Sequence, residues 1–364
     1  MKIGILTFHR AENFGAFLQC YALQESIKKL NNEVEIIDYV SPQMEEGYKL
    51  VNFKRNKRRN PFFIIYNLIK EIYFLNRRIL RHQKFNACIK GLLNISAEKK
   101  ISEKYDAYVI GSDQIWNIRI TDNDKTYFGY FNFPKKRKKY ITYAASMPSS
   151  QLSLLSSSYF SGLDKISVRE SLLVEPIEKL SKQKVYNVLD PTFLLSQEEW
   201  DKLIHKRYKK SSQKKYILVY QVRRNKKVMK KAQEIAQKEN LEIIEVLADF
   251  CYWGRSKKKI QTASPLDFLN LVKNAYCIIT TSFHGTAFSI IFKKNFFYFR
   301  LNDGGDERVE SLLAVLNLKE QIKELTGNIV MKDINYTPCY EILNNKIKES
   351  QAFIKESIVK QESI

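Results

Sequence analysis

The chain has 364 residues and a mass of 42.9 kDa, more than one hydrophobic core usually supports, so we expect two domains. The net charge of +22 calls for an anionic partner: nucleic acid, anionic lipid or a phosphorylated substrate. No nucleic-acid-binding module is recognisable, so we expect no nucleic acid, and no apolar run approaches the roughly 20 residues that cross a bilayer.

In the first half of the chain, short apolar runs end in polar loops, which is typical of strands in a parallel sheet. These predicted strands lie at residues 2–7, 34–39, 107–110, 140–145, 165–168 and 185–189. A helix is predicted at residues 16–30, which completes a βαβ unit with the first two strands. We predict a Rossmann-like domain over residues 1–195.

A basic and aromatic region around residues 53–90 interrupts this pattern. Its start, from Phe53 to Arg59, is rich in lysine and arginine, and an aromatic apolar run follows. Basic flanks around an amphipathic helix are typical of an element that lies on an anionic membrane surface. A core helix with a basic outer face fits the same pattern, and both interpretations stay open.

The second half repeats the alternation of strands and helices, and we predict a second Rossmann-like domain over residues 196–330. Its strands are predicted at residues 216–220 and 242–246, near 278 and at 296–299, and its helices at 226–239, 265–272 and 310–316. The remaining residues, 331–364, are predicted to form a helix that crosses back to the first domain. The expected fold is therefore α/β, with two doubly wound domains facing each other across a cleft.

The segment around His284 carries the strongest site signal. An apolar run ends at Thr280-Thr281-Ser282-Phe283-His284 and resumes at helical spacing, which predicts strand, loop and helix. The free N–H groups at the start of such a helix attract anions, so His284 is placed where a phosphate would dock. A histidine that only caps or packs is the alternative.

Cofactor signals are absent from the sequence. Residues 13–16 lack the GxGxxG spacing of dinucleotide sites, and no GxxxxGK[ST] loop occurs. The five cysteines are far apart, odd in number and never in a CxxC pair, so neither a disulfide framework nor zinc is indicated. We expect no cofactor and no metal. No apolar leader precedes the first strand, which indicates the cytoplasm.

Five motifs occur in an order that resembles the polysaccharide pyruvyl transferase family. They span residues 13–24, 111–117, 167–170, 189–192 and 282–286. The resemblance implies a two-domain fold of the glycosyltransferase B type and transfer of pyruvate from phosphoenolpyruvate onto a sugar as a cyclic ketal. The acceptor would be a precursor of a cell-surface polysaccharide, either a glycan or a lipid-linked sugar. A lipid-linked acceptor would fit peripheral contact with the inner face of the cell membrane.

The second domain would hold the donor. His284 matches the family's donor-site histidine and is the candidate general acid or phosphate contact. Arg169 matches a family arginine whose planar fork grips carboxylate or phosphate, although a surface ion pair is the alternative. Some relatives carry an arginine two residues before the histidine, where this chain has Ser282. We expect the missing charge to come from a nearby cation or from the loop itself, the candidates being Arg223, Arg300, and Ser282 with Phe283 and the Gly285 and Thr286 amides.

The first domain would hold the acceptor. Asp113, at the tip of a buried strand, is the candidate base that deprotonates a sugar hydroxyl, although it could equally cap a helix. Polar and aromatic side chains around the first and third strands are the candidate acceptor contacts, namely Asn13, Gly15, Gln114, Trp116 and Asn117. A tight turn at residues 13–15 and a core position for Trp116 are the alternatives.

Two further functions stay open from the sequence. A glycosyltransferase of the same fold would use a nucleotide sugar, and an acidic residue after the last strand would hold its ribose, from Asp303, Asp306, Glu307 and Glu310. A non-enzymatic basic protein would bind nucleic acid or membrane in a strongly salt-dependent way. A non-enzymatic basic protein would explain the high net charge but would leave the polar loops without a role.

Overall fold

The structure is a computed structural model that describes residues 1–42, 44–45, 61–135, 138–208, 215–248, 250, 258–302 and 304–358, without the side chains of residues 61–65, 67 and 68. In this part of the chain the strands form two six-stranded sheets in which every pairing is parallel. The predicted α/β class with two doubly wound layers is confirmed. The boundary after residue 195 stays a prediction.

The first sheet has the order β2-β1-β3-β4-β5-β6. Its strands are β1 (Lys2–Leu6), β2 (Glu33–Ile36), β3 (Ala107–Asp113), β4 (Lys139–Ala145), β5 (Ile166–Val168) and β6 (Val185–Asn187). The main helices of this half are α1 (Phe14–Lys28), α2 (Pro61–Leu92), α3 (Val174–Ser181) and α4 (Gln197–His205). The chain order reverses between β1 and β3, which opens a crevice at the carboxyl ends of these strands.

The second sheet has the order β12-β11-β10-β7-β8-β9. Its strands are β7 (Tyr216–Gln221), β8 (Glu242–Leu247), β9 (Lys258–Ile260), β10 (Cys277–Thr280), β11 (Asn295–Phe299) and β12 (Ile322–Lys323). The helices are α5 (Lys226–Lys238), α6 (Pro265–Asn274), α7 (Phe283–Ile291), α8 (Glu307–Val315) and α9 (Thr337–Ile358). This is the order of the Rossmann fold, with its own crevice between β7 and β10.

The two sheets are joined by aromatic packing around Phe14, the first residue of α1. Its ring stacks on Phe268 of α6, with centroids 4.8 Å apart, and also contacts Tyr220 of β7 and Phe85 of α2. Phe14 is 1% exposed. One side chain therefore shares the core of both halves, and burial of aromatic surface holds them against each other.

Helix α2 crosses this junction and pins it with Arg81. The guanidinium donates to the carbonyl of Glu12, at 2.8 Å, and to the carbonyl of Ala248 after β8, at 2.6 Å. Its carbon lies 5.6 Å from the Phe14 ring centroid, and the side chain is buried. A buried guanidinium needs such acceptors, so Arg81 fixes the loop after β1 relative to the second sheet.

Helix α2, in the basic region, has features of both interpretations that the sequence left open. One face of α2 is core, as Phe74, Phe85 and Cys88 show, whereas Ile69, Ile72 and other apolar side chains are exposed on the opposite face. The basic start at residues 53–59 lies outside the described residues. No helix in the described ranges is long and apolar enough to cross a membrane.

The last helix, α9, contacts both halves. Ser350 accepts from the amide of Leu189 at 3.0 Å, and the Phe353 ring packs on Tyr186 of β6. Near its start, the Tyr340 hydroxyl donates to the carbonyl of Ile290 in α7 at 3.0 Å. The strands and helices predicted from periodicity are present with ends shifted by a few residues, whereas β9, β12, α3 and α4 were not predicted.

We predict that Phe14→Ala lowers the free energy of unfolding by about 3–5 kcal/mol, because it removes an aromatic side chain from a shared core. Urea unfolding followed by far-ultraviolet circular dichroism measures the change. The matched control is Leu154→Ala, at a position 59% exposed, which should change stability by no more than about 0.5 kcal/mol. Equal effects of the two substitutions would show that Phe14 does not hold the halves together.

Candidate active site

A cavity of about 560 Å³ lies where the crevices of the two sheets face each other. Phe8, Asn13 and Asp113 line it from loops at the carboxyl ends of β1 and β3. Ser282 and His284 line it from the start of α7, directly after β10. Both topological switch points thus open into one space, which is where α/β sheets bind ligands.

His284 was predicted in the loop before the helix, and the structure places it in the first turn of α7, which begins one residue earlier, at Phe283. Ser282 is the N-cap of this helix, and its hydroxyl accepts from the Gly285 amide at 3.3 Å. The first amides of a helix have no helical acceptor, so those of Phe283 and His284 carry the positive end of the helix dipole. His284 is 7% exposed and lines the cavity.

Gly15 packs directly against the imidazole of His284. A Cβ atom built on Gly15 would lie 1.9 Å from Nδ1 and 2.3 Å from Cγ of that ring. No side chain fits in this space, so the first turn of α1 and the first turn of α7 touch only because residue 15 is glycine. Gly15 was predicted as an acceptor contact, and the structure places it against His284, which was predicted on the donor side.

Behind the histidine stands Asp190, in the loop after β6. Its Oδ2 lies 3.6 Å from His284 Nε2, which is too long for a hydrogen bond but close enough for a charge contact. Nε2 is buried and makes no hydrogen bond in the described part of the chain. Burial alone raises the pKa of Asp190, but His284 and Arg169 outweigh it, so that pKa lies well below its ordinary range.

Arg169, predicted as a donor contact, is turned away from the cavity. Its guanidinium donates to Asp190 at 2.7 Å and to Ser146 at 3.0 Å, with Glu170 at 3.3 Å. The Phe283 ring covers it, with the guanidinium carbon 4.4 Å from the ring centroid. The side chain is 3% exposed and does not line the cavity.

Three carboxylates surround the Arg169 guanidinium in this buried cluster. Burial lowers the pKa of Arg169, but Glu170, Asp190 and Asp113 outweigh that effect and raise it above its ordinary value. Burial raises the pKa of Glu170, even though the guanidinium is adjacent. Arg169 therefore stays charged and serves to position Asp190, and through it His284.

Two other arginines line the cavity, and neither was predicted from the sequence. Arg308, in the first turn of α8, donates to the Gly305 carbonyl at 3.3 Å. Burial and the charge of Arg169 lower the pKa of Arg308. Arg119 is exposed and makes no ion pair with any residue that the structure describes. In the sequence, each of these arginines follows the end of a strand by fewer than ten residues, and this position is the signal that could have identified them.

The cations proposed in place of a missing arginine are not in the cavity. Arg300 is held outside it by Glu310 and by Glu324, the latter at 2.8 Å. Arg223 is exposed and does not line the cavity. The two backbone amides proposed as an alternative already have hydrogen-bond acceptors. The Gly285 amide donates to Ser282 Oγ, and the Thr286 amide donates to the Ser282 carbonyl.

On the opposite wall, Asp113 and Gln114 line the cavity as predicted for the acceptor side. Trp116 was expected there and is core instead: it is fully buried, stacks on Phe128 and donates to the Tyr127 carbonyl. Asn117 does not line the cavity. Its Oδ1 accepts from the Arg119 amide at 3.1 Å, and its Nδ2 donates to Gln114 at 2.8 Å.

Asn13 also has a structural task, since its Oδ1 caps α1 by accepting from the Gly15 amide at 2.9 Å. The acids proposed to hold a ribose are engaged elsewhere. Asp306 accepts from Tyr298 and from the Asn302 amide, Glu307 from Ser149, and Glu310 pairs with Arg300. Asp303 lies outside the described residues. Within the described ranges, no group of His, Cys, Asp and Glu side chains is arranged to hold a metal.

Known proteins resemble this chain in sequence and in fold. The sequence model described as polysaccharide pyruvyl transferase matches residues 13–303. A search of curated proteins gives no match. Among solved structures, UDP-GlcNAc 2-epimerase from Neisseria meningitidis bound to UDP-GlcNAc is 13% identical and has a TM-score of 0.50, covering 99% of this chain and 95% of that one. A putative UDP-N-acetylglucosamine 2-epimerase from Listeria monocytogenes is 11% identical, has a TM-score of 0.49, and covers 98% and 89%. The Neisseria likeness shows the two-domain architecture of the glycosyltransferase B type.

We predict that Gly15→Ala displaces the imidazole of His284, because the new methyl group would overlap the ring. The histidine ring resonances should shift by NMR, with the His284 peak assigned from His284→Ala. Gly91→Ala is the matched control, since nothing lies within 4 Å of a Cβ there. An unchanged His284 signal in Gly15→Ala would contradict the contact.

We also predict that Asp190→Asn flattens the loss of stability in acid. Because the folded-state pKa of Asp190 is depressed, its charge stabilises the fold above about pH 4, and this contribution is lost as the pH falls further. The slope of unfolding free energy against pH below about 4 should decrease by up to about 1.4 kcal/mol per unit. Urea unfolding over a pH series measures it, and an unchanged slope would contradict the assignment.

Proposed function

Because this chain belongs to the polysaccharide pyruvyl transferase family, we propose that it moves pyruvate from phosphoenolpyruvate onto a sugar of a cell-surface polysaccharide precursor. Family membership makes the chain a transferase acting on polysaccharide. The donor, the ketal product and the residue roles below are the finer proposal.

One observation carries the proposal: a buried histidine faces a cavity with a fixed anion behind it and cations beside it. His284 Nε2 lies against Asp190, while Arg308 and the first turn of α7 line the same wall. A donor with a phosphate and a carboxylate needs positive charge and an acid in this arrangement. We assign Arg308 and the Phe283 and His284 amides to the donor's anionic groups.

The proposed reaction begins with protonation of the donor. His284 gives a proton to the methylene carbon, which becomes a methyl group, and a sugar hydroxyl attacks the adjacent carbon as it loses its own proton. The phosphate then leaves with the electron pair of its carbon–oxygen bond. A second hydroxyl attacks the same carbon and its proton leaves, giving a cyclic ketal and inorganic phosphate.

The acceptor would enter from the wall formed by the first sheet. Asp113 is the proposed base for the hydroxyls, because it lines the same cavity as His284. Gln114 and Asn13 offer polar contacts, and Phe8 and Met44 an apolar surface for a sugar ring. We propose a glycan or lipid-linked sugar as acceptor and the cytoplasm as the compartment, with peripheral contact to the inner face of the membrane.

The test is calorimetric titration of phosphoenolpyruvate and of UDP-GlcNAc into the wild type, Arg308→Ala and Arg300→Ala. Phosphoenolpyruvate should bind, and Arg308→Ala should weaken it about 10–100-fold, since a hydrogen bond to a charged group contributes about 1.5–3 kcal/mol. Arg300→Ala removes the same charge outside the cavity and should leave the affinity unchanged. Selective binding of UDP-GlcNAc would instead favour a glycosyltransferase.

A second measurement tests the acid. In His284→Ala, phosphoenolpyruvate should still bind, but phosphate release in the presence of glycan acceptors should fall by at least about 100-fold. Wild-type turnover in His284→Ala would overturn the assignment of His284 as the acid.

Arg169→Ala should lower the unfolding free energy by about 3–5 kcal/mol, because it leaves buried carboxylates without their cation.

A further inference from the structure

The outer face of α2 carries an unusual concentration of exposed apolar side chains. Of the ten large hydrophobic side chains exposed among the described residues, five lie on this one helix: Tyr66, Ile69, Ile72, Tyr73 and Leu80. We call these five residues the α2 stripe. Ile72 is 71% exposed and Ile69 59%. A contiguous apolar surface of this kind marks an interaction site more often than scattered single residues do.

The orientation of the α2 stripe is fixed by the opposite face of the helix. Phe74 and Phe85 are fully buried, and Arg81 is held by the carbonyls of Glu12 and Ala248. Rotating α2 to bury the stripe would expose these rings and strip a buried guanidinium of its acceptors. The stripe therefore faces outward as a consequence of the core, and its exposure is a property of the fold.

The charge of the residues around the α2 stripe indicates which kind of partner binds there. Residues 54–90 contain eleven lysines and arginines and a single acid, Glu71. Glu71 is itself paired with Arg78 at 2.8 Å. Six of these cations belong to α2 itself, so with Glu71 the helix alone carries a net charge of +5. Two copies of this chain would bring like charges together, which disfavours self-association through this face.

We propose that the α2 stripe, together with the lysines and arginines of the same helix, docks on an anionic lipid surface. Aromatic and aliphatic side chains would enter the interface between headgroups and acyl chains, and lysines and arginines would attract the acidic headgroups. Lys70 lies beside Ile69, and Arg77 is exposed between Tyr73 and Leu80. The helix lies on the bilayer without crossing it, and the docking does not depend on the reaction proposed above.

Docking through this face has a consequence for the cavity. Arg81, on the inner face of the same helix, binds the Glu12 carbonyl, and the neighbours of Glu12, Ala11 and Asn13, line the cavity. Helix α2 thus carries the stripe on one face and, through Arg81 on the other, contacts the loop that lines the cavity. An acceptor held in the membrane by a lipid would reach the cavity from this side.

The test is sedimentation with vesicles of phosphatidylcholine alone and of phosphatidylcholine with phosphatidylglycerol. The wild type should bind the mixed vesicles, and binding should weaken as salt is raised. Ile69→Ser/Ile72→Ser should reduce this binding roughly tenfold or more, because two side chains no longer enter the apolar layer. Leu154→Ser/Leu172→Ser is the matched control, since both residues are 59% exposed elsewhere, and it should bind like the wild type.

Other outcomes would overturn the proposal. Equal binding to both vesicle types, or equal binding by Ile69→Ser/Ile72→Ser and the wild type, would show that the stripe does not dock on anionic lipid. Analytical ultracentrifugation without vesicles separates a protein partner: a wild-type dimer that this variant converts to monomer, without vesicle binding, would assign the stripe to a second copy of the chain. Urea unfolding of the variant checks that its fold is intact.

Discussion

The buried guanidinium of Arg169 is the constraint on which the site depends. A cation removed from water is tolerated only when acceptors surround it, and here the acceptors come from separate loops of the first sheet. Ser146 follows β4, Glu170 follows β5, and Asp190 follows β6. Satisfying one charge therefore fixes three strand ends at once. Because Asp190 faces His284 and Phe283 covers the guanidinium, the same cluster aligns the first sheet with the start of α7.

The cavity arises from two different strand orders that place their crevices opposite each other. Each sheet reverses its chain order once, between β1 and β3 in the first and between β7 and β10 in the second, and loops diverge at both points. Neither crevice alone combines Asp113, Arg308 and His284 in one space. Phe14 and Arg81 contact both halves of the chain and hold the two crevices against each other. Neither side chain is proposed to react. Packing between the two halves is thus a condition of the proposed chemistry.

Periodicity predicted the fold class, most strands and the cleft, because buried parallel strands and their polar loops leave a local signal. His284, Asp113 and Gln114, which were predicted as site residues, line one cavity. Periodicity failed where a side chain's direction decides its role: Arg169, Trp116 and Arg300 follow strands or loops as expected but point into the core or toward other acids. Arg308 was missed because seven residues of loop and helix separate it from Arg300, the cation chosen after β11. Direction at a strand end depends on tertiary neighbours, which a single sequence does not display.

The contact between Gly15 and His284 makes the two halves of the chain less interchangeable than their separate sheets suggest. Each sheet has its own connectivity and much of its own core, as units exchanged during evolution do. Yet a hybrid joining the first half of one relative to the second half of another would have to keep a residue without a side chain opposite a bulky ring. Shuffling between family members is therefore restricted by one van der Waals contact. Substitutions at these two positions, more than 260 residues apart in sequence, are expected to be inherited together.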